Sequence, residues 1–167
     1  MKLKQFIIIL ILLFLSGCSS LNLFMKETKF NNLKEKNGLY YKYEKLYTGE
    51  ARSFYKNKNK KAFGTFKEGK FHGIFLFYYE NGNLKSKMKF IKNKLDGTKY
   101  QYYINGNKKL VENYNEGKLN GMLIEYYKNS AIKFEVRFKN DNMTGDAVSY
   151  GKDGSIIDLV SYEEDKE

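Results

Sequence analysis

Apolar side chains recur at every second position through most of the chain from residue 48 onward, which is the period of a β-strand. Met122, Ile124 and Tyr126 fall on one such run and Ile132, Phe134, Val136 and Phe138 on the next, with Lys128-Asn129-Ser130 between them. Ile74, Leu76 and Tyr78 are followed in the same way by Glu80-Asn81-Gly82 and then by Leu84, Met88 and Phe90. Two such runs around an Asn-rich turn predict a β-hairpin. The apolar positions have the same parity in both runs, so the loop must hold an odd number of residues for them to share a sheet face. A three-residue loop fits: a type I turn followed by a left-handed residue in a G1 bulge, the place for Gly82, Gly106 and Gly154. That register pairs Tyr78–Leu84, Leu76–Ser86 and Ile74–Met88, and likewise Tyr126–Ile132, Ile124–Phe134 and Met122–Val136.

The hairpins repeat. Gly49, Gly73, Gly97, Gly121 and Gly145 stand 24 residues apart and define copies Thr48–Phe71, His72–Leu95, Asp96–Leu119, Asn120–Met143 and Thr144–Glu167. The seventh column is Phe54, Tyr78, Tyr102, Tyr126 and Tyr150, and the tenth is Asn57, Asn81, Asn105, Asn129 and Asp153. A fixed period of this length marks an array of supersecondary units. A second turn, of the form Glu68-Gly69-Lys70-Phe71-His72-Gly73, joins successive hairpins. There is no proline to interrupt a strand. The expected fold is all-β: an elongated antiparallel meander of about ten strands, roughly 45–50 Å long, held mainly by neighbour contacts. Asp158 at an inward position, and Glu163-Glu164-Asp165-Lys166-Glu167 after it, read as charges that discourage pairing at the last edge. A degenerate final copy would look the same.

Ahead of the repeats, Lys2 and Lys4 precede an apolar run from Phe6 to Leu15. The run is too short to span a bilayer, which takes about 20 residues, and fits a secretory signal core. It ends in Leu15-Ser16-Gly17-Cys18, which resembles the lipobox of bacterial lipoprotein precursors. The resemblance implies cleavage after residue 17, a lipidated Cys18 as mature N-terminus, and outer-membrane sorting if the source is diderm, since Ser19 and not Asp follows. Residues 18–36 then read as a polar tether, with room for a short helix, and 37–167 as the repeat domain, opened by a strand or cap at Asn37-Gly38-Leu39-Tyr40-Tyr41. The one cysteine is thereby used for anchoring, so neither a disulfide nor thiol chemistry is expected.

The formal charge is +11, with two of the lysines in the leader. Such basicity suits anionic lipid, acidic glycan or nucleic acid, although Lys-, Asn- and Ile-rich composition from an AT-rich genome also produces it. Export and the lack of any recognisable motif argue against nucleic acid. His72 is the only histidine and reads as a turn residue, so no His-based dyad or zinc site assembles. No carboxylate recurs at one column in a way that suggests an acid/base pair; Glu112 and Glu135 should lie on opposite faces. Every glycine reads as a turn, so no phosphate loop is expected. These readings point away from an enzyme, with no cofactor and no metal. The candidate binding surface is the even-numbered face, with Tyr55, Tyr79, Tyr103 and Tyr127 in one column and Lys61, Lys85, Lys109 and Lys133 in another. Tyrosine offers contact area at low entropic cost and lysine attracts anions. The same stripes would arise if tyrosine only covers the sheet and lysine only keeps it soluble.

Tyr-Tyr-Glu-Asn-Gly-Asn-Leu-Lys (78–85), Phe-Lys-Glu-Gly-Lys-Phe-His-Gly (66–73) and Tyr-Asn-Glu-Gly-Lys-Leu-Asn-Gly (114–121) resemble the variant MORN repeat of the YwqK-type antitoxin family. The likeness covers roughly residues 37–167, and the first and last copies depart from it at Lys58 and Gly151. It implies a repeat array of hairpins. With the lipobox, the expected role is a lipid-anchored envelope module that binds or scaffolds a protein, glycan or anionic surface. The alternative is an antitoxin or immunity protein that neutralises a toxin by direct binding.

Overall fold

The computed structural model describes residues 27–163. The chain enters as β1 (Thr28–Lys29) and a single 3-10 turn at Phe30–Asn32, followed by β2 (Lys34–Lys36), β3 (Leu39–Lys42) and β4 (Lys45–Leu46). Each copy then folds into one hairpin, in the order β5 (Gly49–Phe54) and β6 (Lys60–Lys67), β7 (Lys70–Tyr78) and β8 (Leu84–Ile91), β10 (Gly97–Tyr102) and β11 (Lys108–Asn115), β12 (Lys118–Tyr126) and β13 (Ile132–Lys139), β14 (Asn142–Tyr150) and β15 (Ile156–Tyr162). Short β9 (Lys94–Leu95) pairs with β8 just before β10 begins. These ten hairpin strands neighbour one another in chain order, as the pattern predicts. The 12-stranded sheet is mixed because β1 adds parallel to β5, and β2, β3 and β4 form a separate small sheet. Residues 28–36, which the sequence assigns to the tether, therefore form strands and a 3-10 turn of the folded unit.

The three-residue loops form as predicted. Tyr79 N–H donates to Asn83 O and Gly82 N–H to Tyr79 O, with Gly82 at φ +90°. Lys58 and Ser130 take the same left-handed place at +68° and +72° without glycine, so this position tolerates a side chain. The tenth-column carboxamide or carboxylate locks each loop: Asn57, Asn81, Asn105, Asn129 and Asp153 each accept from the N–H two residues on. The second turn is shorter than the sequence reading. Glu68-Gly69, Lys92-Asn93, Glu116-Gly117 and Asn140-Asp141 are two-residue turns with positive φ at both places, the type I′ geometry that matches strand twist.

Register is where the expectation fails. Tyr78–Leu84 and Tyr126–Ile132 pair as predicted, but Phe77 faces Ser86 and Glu125 faces Phe134. A bulge beside each loop leaves the fourteenth-column lysine, Lys85 or Lys133, without an opposite number. All later pairs shift by one: Leu76–Lys87, Phe75–Met88, Ile124–Glu135 and Leu123–Val136 replace the predicted partners. One slip exchanges the faces of a strand. The buried face thus carries even columns of each first strand, such as Ala51, Phe75 and Leu123, and odd columns of each second strand, such as Phe66, Met88 and Val136. Asp158 lies on it opposite Ser149 but is exposed, and so is the whole of β15.

A second bulge explains the 24-residue glycine. Between the pairs Gly64–Phe75 and Phe66–Phe71, Thr65 alone faces His72, Gly73 and Ile74. Gly73 sits there at φ +100°, and its counterparts Gly49, Gly97, Gly121 and Gly145 also have positive φ. These glycines and His72 lie in strands and not in turns, because the two-residue turn closes before them.

Two apolar clusters form on the buried face. Ala51, Phe66 and Phe75 gather Phe71, Met88 and Phe90 together with Phe30, Leu33, Tyr40 and Tyr47 from the N-terminal cap. Val136, Phe138 and Ala147 gather Leu119, Leu123 and Phe134.

Candidate functional site

The eighth-column tyrosines lie beside the three-residue loops, and their hydroxyls are committed. Tyr55 Oη donates to Tyr78 O at 2.7 Å, Tyr79 to Tyr102 O at 2.8 Å, Tyr103 to Tyr126 O at 2.7 Å and Tyr127 to Tyr150 O at 2.8 Å. Each bond ties one copy to the backbone of the next, 23 residues on. Asparagines reinforce the same edge: Asn59, Asn83 and Asn107 Nδ2 reach Glu80, Ile104 and Lys128 O at 2.7–2.8 Å. The tyrosine column is first a ladder that stacks the hairpins. Net hydrogen-bond contributions are about 0.5–1.5 kcal/mol, so Tyr103→Phe is expected to lower stability by about 1 kcal/mol. Urea denaturation measures it, and an unchanged midpoint and slope would make the hydroxyl a bystander.

The lysines meet the tyrosines through the bulge. Lys61 lies 5.7 Å from the Tyr55 ring centroid, Lys85 5.6 Å from Tyr79 and Lys109 5.9 Å from Tyr103. Such stacking of exposed cations is worth about 0.5–1 kcal/mol and leaves the charge facing water. Lys133 instead reaches Glu125 at 3.0 Å, and that carboxylate raises its pKa through a hydrogen bond and its charge. Three of the four tyrosine–lysine pairs therefore present a cation over an aromatic ring at successive loops, and in the fourth the lysine forms an ion pair.

The structure also brings together a group that the sequence reading passed over. Lys99, Glu112 and Tyr114 occupy buried-face columns that hold Phe75, Met88 and Phe90 one copy earlier and Leu123, Val136 and Phe138 one copy later. Lys99 and Glu112 are cross-strand partners with Nζ 2.7 Å from Oε2, and Tyr114 Oη donates to Oε1 at 2.9 Å. Glu112 is buried, which only such pairing makes tolerable. Burial first, and then the hydrogen bond to Glu112 with the nearby carboxylate charges, pushes Tyr114 up to about 12. The signal in the sequence was the simultaneous break of two columns in one copy, at Lys99 and Glu112. Glu135 lies on the other face, opposite Ile124 and Val148, where it accepts from Tyr150 Oη at 2.7 Å. Among the described residues no group of three or more His, Cys, Asp or Glu side chains is placed to hold a metal. Cys18 lies outside the described residues.

At the N-terminal end a cleft of about 540 Å³ is lined by Lys29, Arg52, Phe54, Tyr55 and Lys61 among others. Arg52 is engaged by Glu27 at 3.3 Å and Glu50 at 2.9 Å. Lys29 and Lys61 have no carboxylate partner among the described residues.

No family model matches the chain and no curated protein matches it. Among solved structures it is similar to a mutant of S. aureus TarM in complex with fondaparinux, alpha-GlcNAc-glycerol and UDP, at 14% identity and a TM-score of 0.37. That likeness covers 68% of this chain and 21% of the other, and is too weak to assign an activity.

Proposed function

We propose that this chain is a lipid-anchored envelope protein of the variant MORN type that binds or scaffolds a partner through its stacked hairpins. The observation that carries the reading is the pair of ladders along the loop edge. Tyrosine hydroxyls and asparagine amides join copy to copy, so Lys61, Lys85 and Lys109 are held in one file over Tyr55, Tyr79 and Tyr103. A file of held cations over aromatic rings suits a partner with regularly spaced acidic groups, because little side-chain freedom is left to lose on binding. The Leu15-Ser16-Gly17-Cys18 lipobox supports the anchor, and multiple acyl chains hold a protein where a single chain would be marginal.

The test is lipid labelling, membrane fractionation and in-cell crosslinking of three forms. The wild type should carry the label, fractionate with membranes and crosslink to a partner. Cys18→Ser should lose label and membrane association. Lys85→Glu, Lys109→Glu and Lys133→Glu together should keep the anchor and lose the crosslinked partner. An unlabelled, soluble wild type would overturn the anchor, and full partner recovery by the triple variant would overturn the binding edge.

A further inference from the structure

The linear order of the copies turns a sequence bias into a spatial one. Copy one holds seven basic and two acidic side chains, copy two five and one, copies three and four each four and three, and the described part of copy five, to Glu163, one and four. Because strand order follows chain order, these charges are laid out along the sheet: a basic end at β5, a nearly balanced middle, and an acidic end at β15. The net charge of the chain hides this polarity.

The two ends also differ in how they expose backbone and apolar surface. At the acidic end β15 is an edge strand, paired only with β14 among the described residues and exposed along its whole length. Ile156 and Ile157 are 63% and 68% exposed, and Leu159 and Val160 about half. An open edge with apolar side chains on both faces is a template for another chain. At the basic end, among the described residues, β1 pairs only with Ala51 and Arg52 of β5. The rest of that edge, with exposed Phe54, borders the cleft where Lys29 and Lys61 lack carboxylate partners.

We propose that two copies of this chain associate head to tail, the acidic β15 end of one docking at the basic β5 end of the next. The occupant is a second copy because the ends are complementary in charge and each bears an incompletely covered strand edge. The chain cannot satisfy this contact within itself. Its two sheet ends lie ten strands apart, roughly 45 Å, so β15 and β5 of one sheet do not meet. The contact is not a continuation of the repeat, since Gly151 and Ser155 stand where a tyrosine hydroxyl and an asparagine amide would be needed to extend the ladders. Charge and apolar cover hold the junction, so it is sensitive to salt. A heterologous contact of this kind propagates into open chains of protomers.

The experiment is co-capture of two differently tagged full-length copies from detergent extract. Wild type should co-capture at about 0.1 M salt and lose it at about 1 M, where charges are screened over roughly 10 and 3 Å. A tail-reversed form (Asp158→Lys, Glu163→Lys, Glu164→Lys) and a head-reversed form (Lys56→Glu, Lys60→Glu, Lys61→Glu) should each fail to capture themselves. Mixed together they should capture one another, because each then offers the charge that the other lacks. Rescue in the mixture excludes misfolding as the cause of the separate losses. No co-capture by the wild type at low salt, or self-capture by either reversed form at the wild-type level, would overturn the proposal. Lipid labelling of Cys18→Ser is a separate readout, so the anchored reading and this one fail independently.

Discussion

Phe66→Ala is expected to lower the unfolding free energy by about 3–5 kcal/mol, the range for removing a buried aromatic ring, and to release the N-terminal cap before the rest of the sheet unfolds. Phe66 is 4% exposed and stands at the junction of cap and sheet. Its ring meets Phe30 at 5.8 Å, Tyr40 at 5.1 Å and Tyr47 at 5.6 Å on the cap side, and Phe71 at 5.4 Å and Phe75 at 5.5 Å on the sheet side. All five pairs are edge-to-face, a geometry that adds about 0.5–1.5 kcal/mol beyond the area buried. The cap has few other attachments: the two pairs of β1, and backbone bonds such as Tyr40 N–H to Gly69 O and Gly69 N–H to Tyr47 O at 2.8 Å. Such bonds protect an amide only while the surrounding packing excludes water. Hydrogen exchange at the Tyr40 and Gly69 amides, read beside urea denaturation, separates the two effects. Retained protection at those amides in Phe66→Ala would show that the ring does not hold the cap. In an array whose copies interact chiefly with neighbours, exchange at β14 and β15 should move least.

Gly73→Ala is expected to cost about 2–5 kcal/mol, and Gly97→Ala distinctly less. Both glycines occupy the same column, at φ +100° and +97°, a backbone state that an L side chain holds at about 1–3 kcal/mol of strain. Their surroundings differ. A Cβ on Gly73 would strike Thr65 Oγ1 and come within 3.4 Å of Thr65 Cβ, whereas a Cβ on Gly97 would meet nothing within 4 Å. Overpacking of this sort adds about 1–3 kcal/mol. Thr65 has little room to retreat, because its hydroxyl donates to the carbonyl of His72 inside the bulge. A cycle with Thr65→Ala isolates the clash: the loss at Gly73 should shrink toward that at Gly97 once the hydroxyl is gone. Equal losses at the two glycines in the wild-type background would mean that backbone strain alone accounts for the column.

The register slip shows why part of this fold could not be read from the pattern. Ile74, Phe75, Leu76 and Phe77 are all apolar, so either face of β7 satisfies a period of two. A bulge at Lys85 chooses between them, and a bulge inserts one residue without any local change in hydrophobicity. The repeated tyrosine was visible in the sequence as a column. Its use was not, because the acceptor is a backbone carbonyl 23 residues away that comes into reach only when copies stack. The Lys99–Glu112–Tyr114 group was legible in principle as two apolar columns turning charged together, at Lys99 and Glu112. Recognising it as one cluster requires the shifted register that places Lys99 directly opposite Glu112.

The sequence by itself determined the number of hairpins, their order and the three-residue loops. These follow from local chemistry: side-chain alternation, turn dihedral angles and a period written out five times. The tertiary structure alone decided which side of each strand is buried, what the tyrosine hydroxyls bind and how the cap closes on Phe66. Each of these depends on contacts between residues about a repeat or more apart, or on a one-residue offset between paired strands. Neither leaves a mark in the local alternation of apolar and polar side chains.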